Sequence, residues 1–176
     1  LAGPFMDLII ELSALPKFVA LAPVSKKDLD EREREELVAR FFAYSDGLEG
    51  YKDRPSEFIF NYVKKMNIRV ANEPASTDVY RARFHEAIDF IDRVFPYGFR
   101  RSPKGKATPR ARFEAIAVGS RLALDERPGL ANDVIANVTP WLTNDDFRTV
   151  TGSDGANAIA RLQERTRFVR NRLLGE

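Results

Sequence analysis

The chain contains no cysteine and only one histidine, His85, among its 176 residues. Without cysteine it can form no disulfide bond, thiolate nucleophile or cysteine-ligated zinc site, and a single histidine excludes histidine-rich metal sites. The absence of cysteine is compatible with a cytoplasmic location, which we expect.

Neither sign of charge dominates, because 28 Lys and Arg residues balance 26 Asp and Glu residues. Any surface that binds a polyanion must therefore be local. No apolar run approaches the roughly 18 residues needed to cross a bilayer, so we expect no membrane partner.

Most apolar residues recur at the spacing of an amphipathic helix. Leu37, Phe41 and Tyr44 follow one another at i, i+4 and i+7, and similar stripes follow Pro55 and Pro109. With 44% hydrophobic residues, a chain of this length can bury one substantial core. The sequence predicts an all-α, single-domain bundle of roughly seven helices over residues 1–176. Its predicted core includes Phe41, Phe42, Phe58, Tyr62, Phe84, Ile88, Ile91 and Phe113.

Three segments are harder to assign from the pattern. Asn67 to Ala75 interrupts the apolar stripe after Pro55 and is interpreted as a loop, followed by a helix that Ser76 and Thr77 cap. Two short helical pieces are expected around Ala131 to Val138 and Asn144 to Val150. The last helix carries a second stripe, which is predicted to face outward and consists of Arg161, Arg165 and Arg172.

Arg40 interrupts the apolar face that contains Leu37 and Tyr44. Glu36 stands four residues before it, at the spacing of an i, i+4 ion pair. One interpretation is an arginine at the edge of the core, whose stem covers apolar groups while its head pairs with Glu36. The other is a contact between Arg40 and a bound anion.

The segment from Phe99 to Arg112 is basic and contains no acid. Its cations are Arg100, Arg101, Lys104, Lys106, Arg110 and Arg112. Pro103 and Gly105 oppose helix formation, and Thr108 is expected to cap a helix that Pro109 begins. A basic loop beside free backbone N–H groups favours phosphate. The alternatives are a phosphate-binding or DNA-binding loop and a merely solvated one.

No catalytic constellation can be assembled from the remaining residues. His85 lies between charged neighbours on a predicted helix, without a nucleophile or an orienting group at a suitable spacing. Asp89 and Asp92 could contribute to a magnesium site, but two acids on an exposed helical face more often serve solvation. We therefore predict no catalytic residue, metal or cofactor in this chain.

Four segments occur along the chain in a distinctive order, namely LAGPFMDLIIELS, EELVARFFAYSDGLEGYKDRPSEFIFNYVKKMN, RVFPYGFRR and NDDFRTVT, with an arginine-rich helix after the last. In this order they resemble the C-terminal helical half of domain-of-unknown-function family 262, most sharply at Arg40 and Phe41. That family includes the GmrS-like subunits of modification-dependent restriction systems. The resemblance implies defence against foreign DNA and a separate upstream half, similar to ParB and sulfiredoxin, whose Asp-Gly-Gln-Gln-Arg motif is linked to nucleotide hydrolysis.

That motif does not occur in this chain, because DGLEG and DGANA share only Asp-Gly with it. The resemblance thus implies a non-catalytic fragment whose partner is the upstream catalytic half of the same protein. Three functions compete: the helical part of an NTP-dependent, DNA-targeting restriction protein, a protein-interaction or self-association module without DNA binding, and a free-standing hydrolase that uses Asp89 and Asp92. The first is preferred, and the chain alone is expected to hydrolyse neither ATP nor GTP.

Overall fold

Proline residues and one serine cap determine where the first three helices begin. The computed structural model describes all 176 residues, and α1 (Pro4–Ser13) and α2 (Pro16–Leu21) each begin with proline at the first helical position. Helix α3 (Lys26–Asp30) follows Ser25, whose Oγ accepts a hydrogen bond from the backbone N–H of Asp28 at 3.0 Å. These helix starts agree with the sequence pattern.

Three longer helices form the first half of the core. They are α4 (Glu33–Ser45), α5 (Pro55–Asn72) and α6 (Ser76–Val94), and α1 packs against all three. Helix α4 ends as expected before Gly47, which has a positive φ of 119°. Its apolar face lies against α1 and α5 and is completely buried from Leu37 to Tyr44.

The expected loop from Asn67 to Ala75 is wrong over most of its length, because α5 continues to Asn72. Val70 lies one turn after Met66 and is buried, so the apolar stripe of α5 extends further than the short alternation of Ile68 and Val70 indicated. Ser76 is the first residue of α6 rather than its cap, and its hydroxyl donates to the carbonyl of Glu73.

One long helical run begins after the basic loop and contains an irregular turn. Helix α7 (Arg110–Phe113) continues into a π-helical turn (Glu114–Val118) and then into α8 (Gly119–Glu126). At Gly119 the run approaches the last helix so closely that an added Cβ would lie 2.7 Å from Cβ of Val169.

The last part of the chain consists of short elements and one long helix. A 3₁₀ turn (Pro128–Ala131) precedes α9 (Thr139–Leu142), α10 (Asp145–Val150) and α11 (Ile159–Leu174). The predicted helix from Ala131 to Val138 is therefore wrong, since residues 132–138 contain no helix and Pro140 instead stands at the start of α9. Helix α11 packs against α8 and the π-helical turn.

The structure confirms the all-α prediction with a single apolar core of 44 buried residues. The chain forms eleven α-helical segments rather than seven, because several helices are only four to six residues long. All eight predicted core residues contribute to this core, although Phe58 is only partly buried at its edge. None of the helices combines the length and the apolar character that crossing a membrane requires.

Candidate anion-binding surface

The basic segment is a surface loop with firmly anchored ends. Phe99 and Phe113 are buried, and their ring centroids lie 4.7 Å apart in an edge-to-face arrangement. The backbone N–H of Phe99 donates to the carbonyl of Leu21 at 3.1 Å. Near the other end, the hydroxyl of Thr108 donates to the carbonyl of Pro23 at 2.8 Å instead of capping α7. The loop is thus attached to the segment around α2 at both ends.

The six cations of this segment divide into three groups, which corrects the expectation of one uniformly exposed basic loop. Arg101, Lys104 and Lys106 are exposed, and no acidic side chain pairs with any of them. Arg100 folds back on the loop, where Nε donates to the carbonyl of Tyr97 at 3.0 Å and Nη1 to that of Pro103 at 3.1 Å.

The two arginines in α7 have different surroundings from those in the loop. Arg110 forms a two-pronged ion pair with Glu33, with N–O distances of 2.8 and 2.7 Å, and this interaction raises the pKa of Arg110. Arg112 is only 7% exposed, and its guanidinium lies 5.3 Å from the ring centroid of Phe147. Its pKa falls to about 10 because burial removes water from the charge and because the charge of Arg101 is nearby. Arg110 is exposed but paired with an acid, and Arg112 is buried, so neither resembles the three exposed, unpaired cations of the loop.

Arg40 is likewise buried, and the anion that it contacts belongs to the same chain. Its Nη1 donates to Oε2 of Glu114 at 2.8 Å, while Glu36 Oε1 lies 3.4 Å from its Nε. The other oxygen of Glu114 accepts a hydrogen bond from Nη1 of Arg165 at 2.9 Å. The expected pairing with Glu36 is present, but Arg40 lies inside the core and not at its edge.

Glu114 is therefore the shared carboxylate of a buried network with two arginines. Glu114 and Arg40 are each 4% exposed and Arg165 is 1% exposed. Arg165 also donates to the carbonyls of Val150 and Ala156, which fixes the segment before α11. The proposed outward stripe of the last helix is consequently wrong at Arg165.

Sequence reasoning missed Glu114, although the chain contained a signal for it. The glutamate interrupts the apolar run FEAIAV at a position that the helical stripe of Phe113 and Ile116 places close to the core. A carboxylate in such a position needs a cation, since an unpaired buried charge is very costly. The π-helical turn begins at Glu114, and such turns occur frequently at functional sites.

A second polar feature, also missed, lies at the C-terminal end of α4. A cleft of about 630 Å³ opens beside Asp46, which accepts hydrogen bonds from the hydroxyls of Tyr62 and Tyr80. Burial, followed by the interaction with Asp46, raises the pKa of both tyrosines. The cleft is lined by four cations and three acids, so it has no dominant charge that would select one class of ligand.

The acids that were considered for metal binding lie beside a lysine. Nζ of Lys17 donates to Asp89 at 2.7 Å and lies 4.0 Å from a carboxylate oxygen of Asp92. No group of three or more acidic, histidine or cysteine side chains in the structure has an arrangement that could hold a metal ion. Asp89 and Asp92 therefore act as partners of Lys17.

Comparison with known proteins adds no relative to this description: no family model, curated protein or solved structure matches the chain.

Proposed function

We propose that this chain is a non-catalytic helical domain that contacts the phosphate backbone of DNA weakly and without reading its sequence. The observation that supports the proposal is the group of three exposed, unpaired cations Arg101, Lys104 and Lys106 in a loop without acids. The anchors at Phe99 and Thr108 hold this loop on the core, so its cations occupy one part of the surface. The role is that of the helical portion of an NTP-dependent restriction protein, which the resemblance to family 262 implies.

Phosphate contact fits this loop better than base readout does. No aromatic residue lies between Phe99 and Phe113, so the loop offers no ring on which an exposed base could stack. An irregular loop also lacks the helix or two-stranded ribbon that usually enters the major groove. On the other side, Asp28, Glu31 and Glu33 lie around Pro109 and Arg110, so the positive surface is limited to the exposed part of the loop.

The salt dependence of DNA binding tests this proposal. Three phosphate contacts should give a slope of about −2.7 in a plot of log K against log salt, because each releases about 0.9 of a counterion. Fluorescence anisotropy with a short labelled duplex measures the slope. The triple variant Arg101→Gln, Lys104→Gln and Lys106→Gln should lose most of the binding and flatten the slope.

A matched control removes the same charge elsewhere. Lys52, Lys64 and Lys65 are also exposed and unpaired, and they lie at or near α5, away from the basic loop. The triple variant with Gln at these positions should retain the binding of the parent chain. Equal losses in both variants would show a dependence on net charge alone and would reject the loop as the binding surface.

One observation favours the alternative, an interaction module without DNA binding. Phe60 and Ile68 lie two turns apart on α5 and are 52% and 61% exposed, so this helix offers two large apolar side chains to a partner. Sedimentation velocity separates the two functions. Self-association that Phe60→Ser and Ile68→Ser abolish, together with no binding to DNA at low salt, would favour the interaction module.

A further inference from the structure

Arg112 differs from every other buried arginine in having no acidic partner. The structure buries four arginines. Arg40 and Arg165 share Glu114, and Arg121 pairs with Glu86 and Asp125 at 2.7 and 3.0 Å. The guanidinium of Arg112 makes no hydrogen bond or ion pair to any other group of the chain, and its Nε is enclosed without a partner.

The surroundings of Arg112 compensate only part of its charge. The ring of Phe147 covers one face of the guanidinium and attracts the cation, but it offers no acceptor to the N–H groups. Nη1 and Nη2 also lack partners, yet they are not enclosed as Nε is. The outer edge of the guanidinium therefore keeps contact with solvent, where an acceptor can reach it.

A second cation of the same acid-free segment lies within electrostatic range of Arg112. Arg101 is exposed and unpaired, and its charge contributes to the lowered pKa of Arg112. No carboxylate offsets the effect of burial and of Arg101 on that pKa. Two arginines that influence each other electrostatically without an intervening acid repel each other, and a shared anion would remove this repulsion.

We infer that Arg112 and Arg101 form a binding site for one phosphate-type oxyanion. The guanidinium fork can donate two parallel hydrogen bonds to such a group, and the nearby second cation favours a phosphate over a singly charged carboxylate. The group can belong to a nucleic-acid backbone or to free phosphate. This inference goes beyond the proposed function, because the site would bind inorganic phosphate even if the chain did not bind DNA.

Thermal unfolding with inorganic phosphate tests the site directly. At ten times its dissociation constant, a ligand that binds only the folded chain should raise the unfolding midpoint by about 3–5 °C. Sodium chloride at equal ionic strength serves as the control for screening. A phosphate-specific rise supports the site, and the absence of any difference from chloride overturns it.

Variants at both arginines establish where the phosphate binds. Arg112→Met keeps an unbranched side chain against Phe147 and removes an unpaired charge, so it should fold and lose the phosphate-dependent rise. Arg101→Gln changes an exposed residue and should weaken phosphate binding about tenfold. Lys65→Gln is the matched surface control and should behave like the parent chain. A full phosphate response in Arg112→Met would overturn the inference.

DNA binding by the parent chain and by Arg112→Met, measured with the labelled duplex, identifies the source of the phosphate group. If Arg112→Met weakens binding to both inorganic phosphate and DNA, the site holds a backbone phosphate. If phosphate binds through Arg112 but the parent chain ignores DNA, the site takes a free phosphate group. In that case the inference stands while the proposed function fails.

Discussion

Arg112 and Glu114 are two residues apart in one helical run, yet only Glu114 has partners of opposite charge within the chain. Glu114 lies among two buried arginines and accepts a hydrogen bond from each. Arg112 lies against an aromatic ring and receives no acceptor from the chain. Both are buried, so the difference does not arise from exposure to water.

This difference separates a structural use of charge from one that suits binding. The network of Glu114 joins α4, the π-helical turn and α11, and both of its guanidinium groups pair with a carboxylate of the chain. The site at Arg112 leaves donors free at the edge of the basic loop. Since a fold does not gain stability from a buried unpaired charge, Arg112 is explained better by an external anion than by packing.

The largest expected effect comes from Glu114→Gln, which breaks the paired side of the comparison. The substitution keeps the shape of the side chain but leaves Arg40 and Arg165 without their shared carboxylate. Because uncompensated charges then remain buried, the free energy of unfolding should fall by about 3–5 kcal/mol. Urea denaturation followed by circular dichroism measures it. A loss below about 1 kcal/mol would mean that Glu114 contributes no more than a surface pair.

A smaller effect of opposite sign is expected for Arg112→Met in chloride buffer. Removing the unpaired charge should raise the free energy of unfolding by about 1 kcal/mol, since an apolar side chain fits a buried site without an ionic partner. The sulfur of methionine can keep a favourable contact with the ring of Phe147. The same urea experiment provides the measurement, and a loss of stability would assign Arg112 a structural role.

The gain in stability expected for Arg112→Met should depend on pH. The pKa of Arg112 is about 10 in the folded chain, below the ordinary arginine value of 12.5. Between these values the unfolded chain holds a proton that the folded chain has released, so this group favours folding more strongly as pH rises. The advantage of Arg112→Met over the parent should therefore shrink above about pH 10.

Buried tyrosines lower stability as pH rises, but they affect the parent and Arg112→Met equally and therefore cancel when the two are compared. Burial raises the pKa of Tyr44, Tyr62 and Tyr80, so both proteins should lose stability as pH rises above the ordinary tyrosine range. Parallel urea denaturation of the two proteins at several alkaline pH values isolates the contribution of Arg112. A gap that stays constant or widens would contradict the assignment.

The smallest effect is expected for Glu33→Gln, which removes the partner of Arg110 at the surface. This pair has good geometry, but half of the Arg110 side chain is exposed, so the loss should not exceed about 1 kcal/mol. Added salt should reduce the loss further, because exposed pairs are screened. Urea denaturation at low and high salt checks both statements, and a loss comparable with that of Glu114→Gln would contradict them.

The fold could be predicted from the sequence because its apolar residues follow the helical period over most of the chain. Phe41, Phe84 and Ile91 are buried as their spacing indicated. The end of α5 could not be predicted, because the sequence from Asn67 to Ala75 interrupts the apolar stripe. Only the structure shows that Val70 is buried and continues that stripe. The local sequence pattern predicts helix ends poorly, because packing against other helices determines where a helix stops.

The candidate site was predictable only in part. Composition identified the basic segment and its six cations, and the structure then showed that only Arg101, Lys104 and Lys106 are both exposed and unpaired. Composition could not reveal that Arg112 turns inward or that Arg110 meets Glu33, because these arrangements depend on residues more than 30 positions away in the chain. The likeness to family 262 stays a prediction, as does the cytoplasmic location.

The π-helical turn at Glu114–Val118 amounts to one additional residue within a helix that otherwise repeats every 3.6 residues. Without that residue, everything before the turn would rotate by about 100° relative to α8. Arg112 and Glu114 would then change their directions together, while Gly119 kept its place against Val169. A chain that lacked this additional residue would therefore lose the buried network and the anion site together.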